Sequence, residues 1–176
     1  MPATTVITEV VAILGVLGVG SILGQYIGSS KDRREARAGV LTALADAESS
    51  RWVGPDAKTL DEFHSSMRKL QTAALIARLP RDAVEQYAVL GQAARWYSQT
   101  AWEQNPDPET GGRVEEHLAK AVEEAARAVA AIAWSPGLGR TWRWRRARKR
   151  VDEHLNNSTS KRTLNLVKRS RENGFL

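Results

Sequence analysis

The side chains that most often carry out catalysis or bind metals are sparse in this chain of 176 residues. It contains no cysteine, which excludes disulfides, thiolate nucleophiles and cysteine-bound metals. The histidines His64, His117 and His154 lie far apart, and none has a second histidine at the spacing that places two ring nitrogens on one metal ion. No glutamate forms the Glu-x-x-His motif of carboxylate di-iron sites. The sequence therefore predicts no catalytic residue, no metal site and no cofactor, and we expect a protein that is not an enzyme.

One pattern indicates ligand binding: cations alternate with aromatic side chains in GRTWRWRRARKR, residues 139–150. Arginine neutralises phosphate, and a Trp ring suits either an unpaired base or the headgroup level of a membrane. An anionic cytoplasmic leaflet attracts such a segment with about 1 kcal/mol per basic residue near its surface. We expect contact with anionic lipid, or alternatively with nucleic acid, unless the segment only keeps the chain soluble. The residues expected to make this contact are Arg140, Trp142, Arg143, Trp144, Arg145, Arg146, Arg148, Lys149 and Arg150.

The net charge of +6 is unevenly distributed along the chain. Residues 1–139 hold 14 Lys and Arg against 17 Asp and Glu, whereas residues 140–176 hold 12 against 3. A mildly acidic body thus precedes a strongly basic C-terminal part. This asymmetry indicates a polyanionic partner for the basic part.

The first thirty residues are apolar and rich in glycine, and two of three explanations for them fail. A phosphate-binding loop has the spacing G-x-G-x-x-G, but Gly20 and Gly24 are separated by one residue too many. A cleaved signal peptide carries positive charge before its apolar core. Here Glu9 is the one charged residue before the core, and the positive charge comes after it.

The third explanation, a membrane-spanning helix, fits both the length and the flanking charge. Val10 to Ile27 is a run of 18 uncharged residues, near the lower limit for a helix across the hydrocarbon core. We expect a transmembrane helix at about residues 6–28, within an N-terminal segment of residues 1–30. Positive charge stays on the cytoplasmic side, so the N-terminus is predicted outside the inner (plasma) membrane and the body in the cytoplasm. The juxtamembrane cations that set this orientation are Lys31, Arg33, Arg34 and Arg37.

Three glycines of the predicted span, Gly20, Gly24 and Gly28, recur every fourth residue. A helix face without side chains lets two membrane helices approach closely. The spacing therefore predicts a packing seam, either between copies of this chain or with a partner helix, although glycine is also simply common in transmembrane helices.

The remainder is predicted to be all-α, as an antiparallel bundle of three or four cytoplasmic helices at residues 31–135 followed by a basic tail at residues 136–176. Thr59 and Glu62 form a capping-box pattern, after which Phe63, Met67, Leu70 and Ala74 follow steps of three and four. In a helical tail, the stripe would consist of Trp144, Ala147, Val151 and Leu155.

Pro80 is either a reversal of the chain or a kink, and the position of the tail depends on which. With a reversal, four helices would return the tail to the end at which the chain leaves the membrane. With a kink, three helices would place the tail at the far side, where nucleic acid is the more accessible partner.

The layout of one N-terminal span, the juxtamembrane sequence KDRREAR and an Ala- and Arg-rich helical body resembles small single-pass membrane proteins of high-GC actinobacteria. The resemblance covers the architecture over roughly residues 5–135 and implies a membrane location without a particular activity. From the residues we expect a non-enzymatic scaffold or docking module that forms a homo-oligomer or binds a partner helix, with the tail on the anionic leaflet. The alternative is a membrane-tethered protein that binds nucleic acid through the Arg and Trp residues of the tail.

Overall fold

The computed structural model describes residues 31–53, 59–107, 112–134 and 137–173, and all regular structure in these residues is α-helical. The chain divides into two compact units, Met1–Glu35 and Ala36–Leu176. Helix α1 covers residues 31–51 of the described chain. The other helices are α2 (Leu60–Ile76), α3 (Arg81–Gln104), α4 (Glu116–Trp134), α5 (Gly137–Asn157) and α6 (Lys161–Asn173). The prediction of an all-α fold is confirmed.

No helix within the described residues combines the length and the apolar character that crossing a membrane requires. The predicted span at residues 6–28 and the glycine seam at Gly20, Gly24 and Gly28 lie outside the described residues. Both therefore stay predictions.

Helix α2 begins and ends with well-defined caps. At its start, the Thr59 hydroxyl accepts from the Glu62 backbone N–H while the Glu62 carboxylate accepts from the Thr59 backbone, which confirms the capping box. At its end, Arg78 adopts a left-handed conformation with φ of 54°. The backbone N–H of Leu79 donates to Ala74 O at 2.9 Å and that of Arg78 donates to Leu75 O at 3.0 Å, which is the Schellman pattern. Helix α2 is thus fully terminated before Pro80.

Pro80 marks a reversal of the chain, because α3 returns along α2. A Cβ atom at Gly91 of α3 would lie 3.2 Å from Met67 Cε, so the two helices touch well away from the turn. Pro80 is the N-cap residue of α3, where its missing N–H costs nothing.

The directions of the other helices follow from contacts along their lengths. Helix α1 runs parallel to α3, since Glu48 contacts Tyr87 while the later Val53 contacts the later Ser98. Helix α5 runs antiparallel to α4, since Arg150 binds Glu124 in the middle of both helices. One end of the bundle, called the Arg140 end below, therefore holds the ends of α2 and α4 and the starts of α3 and α5.

The core forms where one apolar stripe from each helix meets the others. The predicted α2 stripe of Phe63, Met67, Leu70 and Ala74 is buried. Alanines on α4 allow its neighbours to pack closely. The largest fully buried apolar side chains are Tyr87, Phe63, Met67, Leu70, Leu90, Leu118, Ile132, Val40, Val122, Val129 and Val151.

The basic C-terminal segment belongs to the same compact unit as the preceding helices. The sequence sets residues 136–176 apart as a tail, whereas α5 packs along α4 and α6 packs against α3. The physical reason is the apolar stripe of α5: Trp144, Ala147 and Val151 are buried and Leu155 packs against the core. The residues of this stripe recur every three or four positions, and their burial outweighs the high charge of the segment.

Candidate anionic-ligand interface

Helix α5 presents most of its predicted contact residues on the surface. The core stripe fixes the rotation of the helix, so Trp142 is 62% exposed whereas Trp144 is 5% exposed. The two tryptophans lie two positions apart, which places them on different faces of a helix. Trp144 is therefore a core residue. The exposed cations on this helix are Arg143, Arg145, Arg146, Arg148, Lys149 and Arg150.

An open groove of about 550 Å³ runs between α4 and α5. Its basic lining comes from Arg143, Arg146 and Arg150 of α5 and from Arg127 of α4. The Arg146 guanidinium lies 5.5 Å from the centre of the Trp142 ring, a cation–π distance. The groove thus joins guanidinium groups, which bind phosphate through paired N–H donors, to an exposed aromatic ring.

Some of the basic side chains on α5 already have carboxylate partners. Arg150 binds Glu124, and Arg148 lies 3.9 Å from Asp152. In the described part of the chain, no carboxylate lies within ion-pair distance of the four other exposed cations, which are Arg143, Arg145, Arg146 and Lys149. These four carry the positive charge that an anionic ligand would meet.

Arg140 has a structural contact that differs from those of the other predicted residues. Its Nη1 donates to Arg78 O at 3.0 Å and to Ala77 O at 3.4 Å, so it caps the carbonyls at the end of α2. Burial, together with the nearby charge of Arg37, lowers the pKa of Arg140. The start of α5 is thereby fixed beside the α2–α3 turn and near Arg37 of α1.

No family model, curated protein or solved structure matches this chain.

The juxtamembrane cations predicted from the sequence lie in the first turns of α1. Lys31, Arg33 and Arg34 are exposed, and Lys31 Nζ lies 3.8 Å from Glu35 Oε1. Arg37 is half-buried. In the part of the chain that the structure describes, no group of three or more His, Cys, Asp or Glu residues could hold a metal ion.

Sequence reasoning missed a set of exposed apolar side chains at the Arg140 end. Leu75 is 79% exposed and Ile76 66% exposed at the end of α2, and Trp134 is 59% exposed at the end of α4. The signal was present: Leu75 and Ile76 are adjacent large apolar residues that fall outside the three-and-four stripe of α2. Such positions on a helix face solvent unless a partner covers them.

Two polar clusters hold the helices of the bundle together. Arg95 is buried and donates to the backbone oxygens of Ser50 and Trp52 at 3.1 and 2.9 Å, and burial lowers its pKa. The Tyr87 hydroxyl donates to Glu48 Oε1 at 2.7 Å, and burial raises the pKa of Tyr87. These contacts join α1 to α3, which is a structural role.

Glu115 organises the second cluster, where α4 begins and α6 begins. Its carboxylate accepts from the backbone N–H groups of His117 and Leu118, which caps α4. The same carboxylate accepts from the hydroxyls of Ser158, at 3.4 Å, and Thr163, at 3.2 Å. One side chain therefore connects α6 to the start of α4.

Proposed function

We propose that this chain is a single-pass inner-membrane protein whose cytoplasmic helical bundle is a non-enzymatic docking module with a basic face toward the anionic leaflet. The observation that carries the proposal is the contact of Arg140 with the carbonyls of Ala77 and Arg78, beside Arg37. Because Arg37, the second residue of the unit Ala36–Leu176, lies near Arg140 at the start of α5, the cations of α5 would start near the point at which the chain leaves the predicted span.

The sequence supports the membrane anchor and its orientation. The uncharged run from Val10 to Ile27 is long enough to span the hydrocarbon core, and basic residues follow it without preceding it. The N-terminus would then lie outside the cell and Ala36–Leu176 inside. The glycines at positions 20, 24 and 28 would let the span associate with a second copy or a partner helix.

The fixed geometry of α5 supports a role in binding anions. Since Trp144 and Val151 hold the helix against α4, the cations of its outer face are held in place before a partner arrives. A preorganised charged surface loses less entropy on binding than a flexible tail with the same charges.

The groove between α4 and α5 favours nucleic acid as a second candidate partner. Arg143, Arg146 and Arg150 follow one another at intervals of three and four residues, beside the exposed ring of Trp142. Phosphates would contact Arg143 and Arg146, since Arg150 already binds Glu124, while an unpaired base stacks on the ring.

The membrane topology is testable with single cysteines, since the chain has none of its own. We expect Thr4→Cys to react with a membrane-impermeant maleimide in intact cells, and Lys149→Cys to react only after the cells are opened. Labelling of Lys149→Cys in intact cells would overturn the proposed orientation.

A binding experiment on the full-length protein in non-ionic detergent distinguishes the two candidate partners. If nucleic acid is the partner, single-stranded DNA should give a gel shift. Its log binding constant should fall linearly with log salt concentration, with a slope of about −0.7 per phosphate contact. Replacing Arg143, Arg145, Arg146 and Lys149 with Gln should abolish that shift. The matched control replaces four exposed cations elsewhere, Arg68, Lys69, Lys168 and Arg171, with Gln. A shift that responds to the first set and not to the control would replace the lipid proposal with the nucleic-acid one.

A further inference from the structure

We propose that the Arg140 end of the bundle is a membrane-docking face, in which Leu75, Ile76 and Trp134 enter the headgroup region of an anionic bilayer. The inference rests on the proposed membrane anchor, but the three side chains that enter the headgroup region lie outside the basic segment of α5. It assigns a partner surface to side chains that the sequence pattern leaves without a role.

The concentration of exposed apolar side chains at this end is the first observation. Within the described residues, seven large apolar side chains are exposed, and the four most exposed are Leu75, Ile76, Trp142 and Trp134, at 79%, 66%, 62% and 59%. All four lie at or near the ends of α2 and α4 or the start of α5. Single exposed apolar residues are ordinary, but the most exposed ones gathered at one end indicate an interaction surface.

The hydrogen bonds of Arg140 bring the relevant helix ends together. Its guanidinium contacts the carbonyls that directly follow Leu75 and Ile76, and its backbone lies six residues after Trp134. Leu75 and Ile76 therefore lie beside the carbonyls that Arg140 contacts, and Trp134 lies at the end of α4, the helix that precedes α5, within the same compact unit Ala36–Leu176.

Cations surround these apolar residues. Arg78 and Arg81 lie at the α2–α3 turn, and Arg143 lies one turn beyond Arg140 on α5. Two exposed acids, Asp82 and Glu85, lie at the start of α3, and Glu85 binds Arg81 at 2.5 Å. Among the described residues of these helix ends, Arg78, Arg140 and Arg143 then stand against Asp82 alone. The rim of this face is accordingly positive overall.

This combination matches the surface of an anionic bilayer better than the surface of a soluble protein. Leucine and isoleucine enter the acyl boundary, tryptophan prefers the headgroup level, and flanking Arg side chains bind anionic headgroups. Chain connectivity adds a further argument. Arg37 lies near Arg140 and only nine residues after the end of the predicted span at residue 28, so the proposed anchor would hold this face close to the bilayer.

The test places an environment-sensitive fluorophore on the cysteine-free chain at two positions of the same helix. Leu75→Cys reports on the Arg140 end, and Leu60→Cys, also an exposed leucine of α2, is the matched control at the opposite end. Full-length protein carrying either label is reconstituted into phosphatidylcholine vesicles with or without phosphatidylglycerol. Quenchers attached to lipid and quenchers dissolved in water are then compared.

We expect lipid-attached quenchers to act severalfold more strongly at residue 75 than at residue 60, with the difference larger in the anionic vesicles. Arg78→Glu combined with Arg143→Glu should reduce lipid quenching at residue 75, whereas Arg68→Glu combined with Lys69→Glu should leave it unchanged. Circular dichroism on each variant checks that the helices are retained.

Three results would overturn the inference. If the aqueous quencher acts equally at both positions, in protein that still floats with the vesicles, the docking face is wrong and the anchor is not affected. Shielding of residue 75 from both quenchers assigns the face to another protein surface. Lipid quenching that is the same without phosphatidylglycerol removes the anionic specificity. Protein that does not float with either kind of vesicle contradicts the anchor itself, so the two proposals fail in different ways.

Discussion

Replacing Trp144 with Ala should destabilise the protein far more than replacing Trp142 with Ala, although the two residues are separated by only one position. Trp144 is 5% exposed and Trp142 is 62% exposed. A buried Trp removes roughly 150–250 Å² from water, and at about 25 cal/mol per Å² this contributes about 4–6 kcal/mol as an upper bound. Truncation of a buried Trp to Ala costs about 3–5 kcal/mol, whereas surface changes usually stay within about 0.5 kcal/mol.

Urea unfolding of the full-length protein in non-ionic detergent, followed by circular dichroism at 222 nm, measures this difference. With a slope of about 2 kcal/mol per M, Trp144→Ala should lower the unfolding midpoint by about 2 M, while Trp142→Ala should leave it nearly unchanged. Similar small effects of both substitutions would refute the packing of α5 on α4. Residues 137–157 would then be an unattached basic segment, and the preorganised cationic face would not exist.

Three further predictions concern the two polar clusters and the glycines. Glu115→Ala should cost about 2 kcal/mol of unfolding free energy and speed hydrogen exchange in α6, because a half-buried cap and its bonds from two hydroxyls are lost. Glu116→Ala, at the exposed neighbouring position, should change stability by under about 0.5 kcal/mol. Because the folded-state pKa of Tyr87 is raised above its ordinary value of 10.0, the folded state keeps the proton longer than the unfolded state. The contribution of Tyr87 to the free energy of unfolding should therefore be fully present below pH 10 and should fall above it by up to about 1.4 kcal/mol per pH unit. In urea titrations, Tyr87→Phe should remove this loss. Gly112 has a φ of +72°, and a Cβ atom there would lie 2.4 Å from a backbone oxygen, so Gly112→Ala should lower the melting temperature. Gly39 of α1 has open space around it, so Gly39→Ala should raise the melting temperature, because alanine favours a helix by about 0.5–1 kcal/mol over glycine.

Helix positions and the buried stripes were predictable because they depend on local pattern. The Thr59 capping box and the spacing of Phe63, Met67 and Leu70 are read within one helix, and the structure confirms both. The Trp144, Ala147, Val151 and Leu155 stripe was also visible, although the charge around it favoured the description as a tail.

Features that depend on contacts between distant residues were not predictable from one sequence. The sequence marks a break at Pro80, but the reversal is achieved by a left-handed Arg78, a conformation that usually belongs to glycine, so the direction of the next helix stayed open. The connection of Glu115 to Thr163 joins residues 48 positions apart. The apolar residues of the Arg140 end are present in the sequence, but their exposure depends on which helices pack together and in which direction.

Fractionation of broken cells tests most directly whether residues 6–28 anchor the chain in the membrane. The membranes are collected by ultracentrifugation and washed in 1 M NaCl, where the Debye length of about 3 Å removes most electrostatic binding. We expect the intact, uncleaved chain to stay in the membrane pellet and to leave it only with detergent. Recovery of the uncleaved chain in the supernatant would show that residues 6–28 are not a membrane anchor.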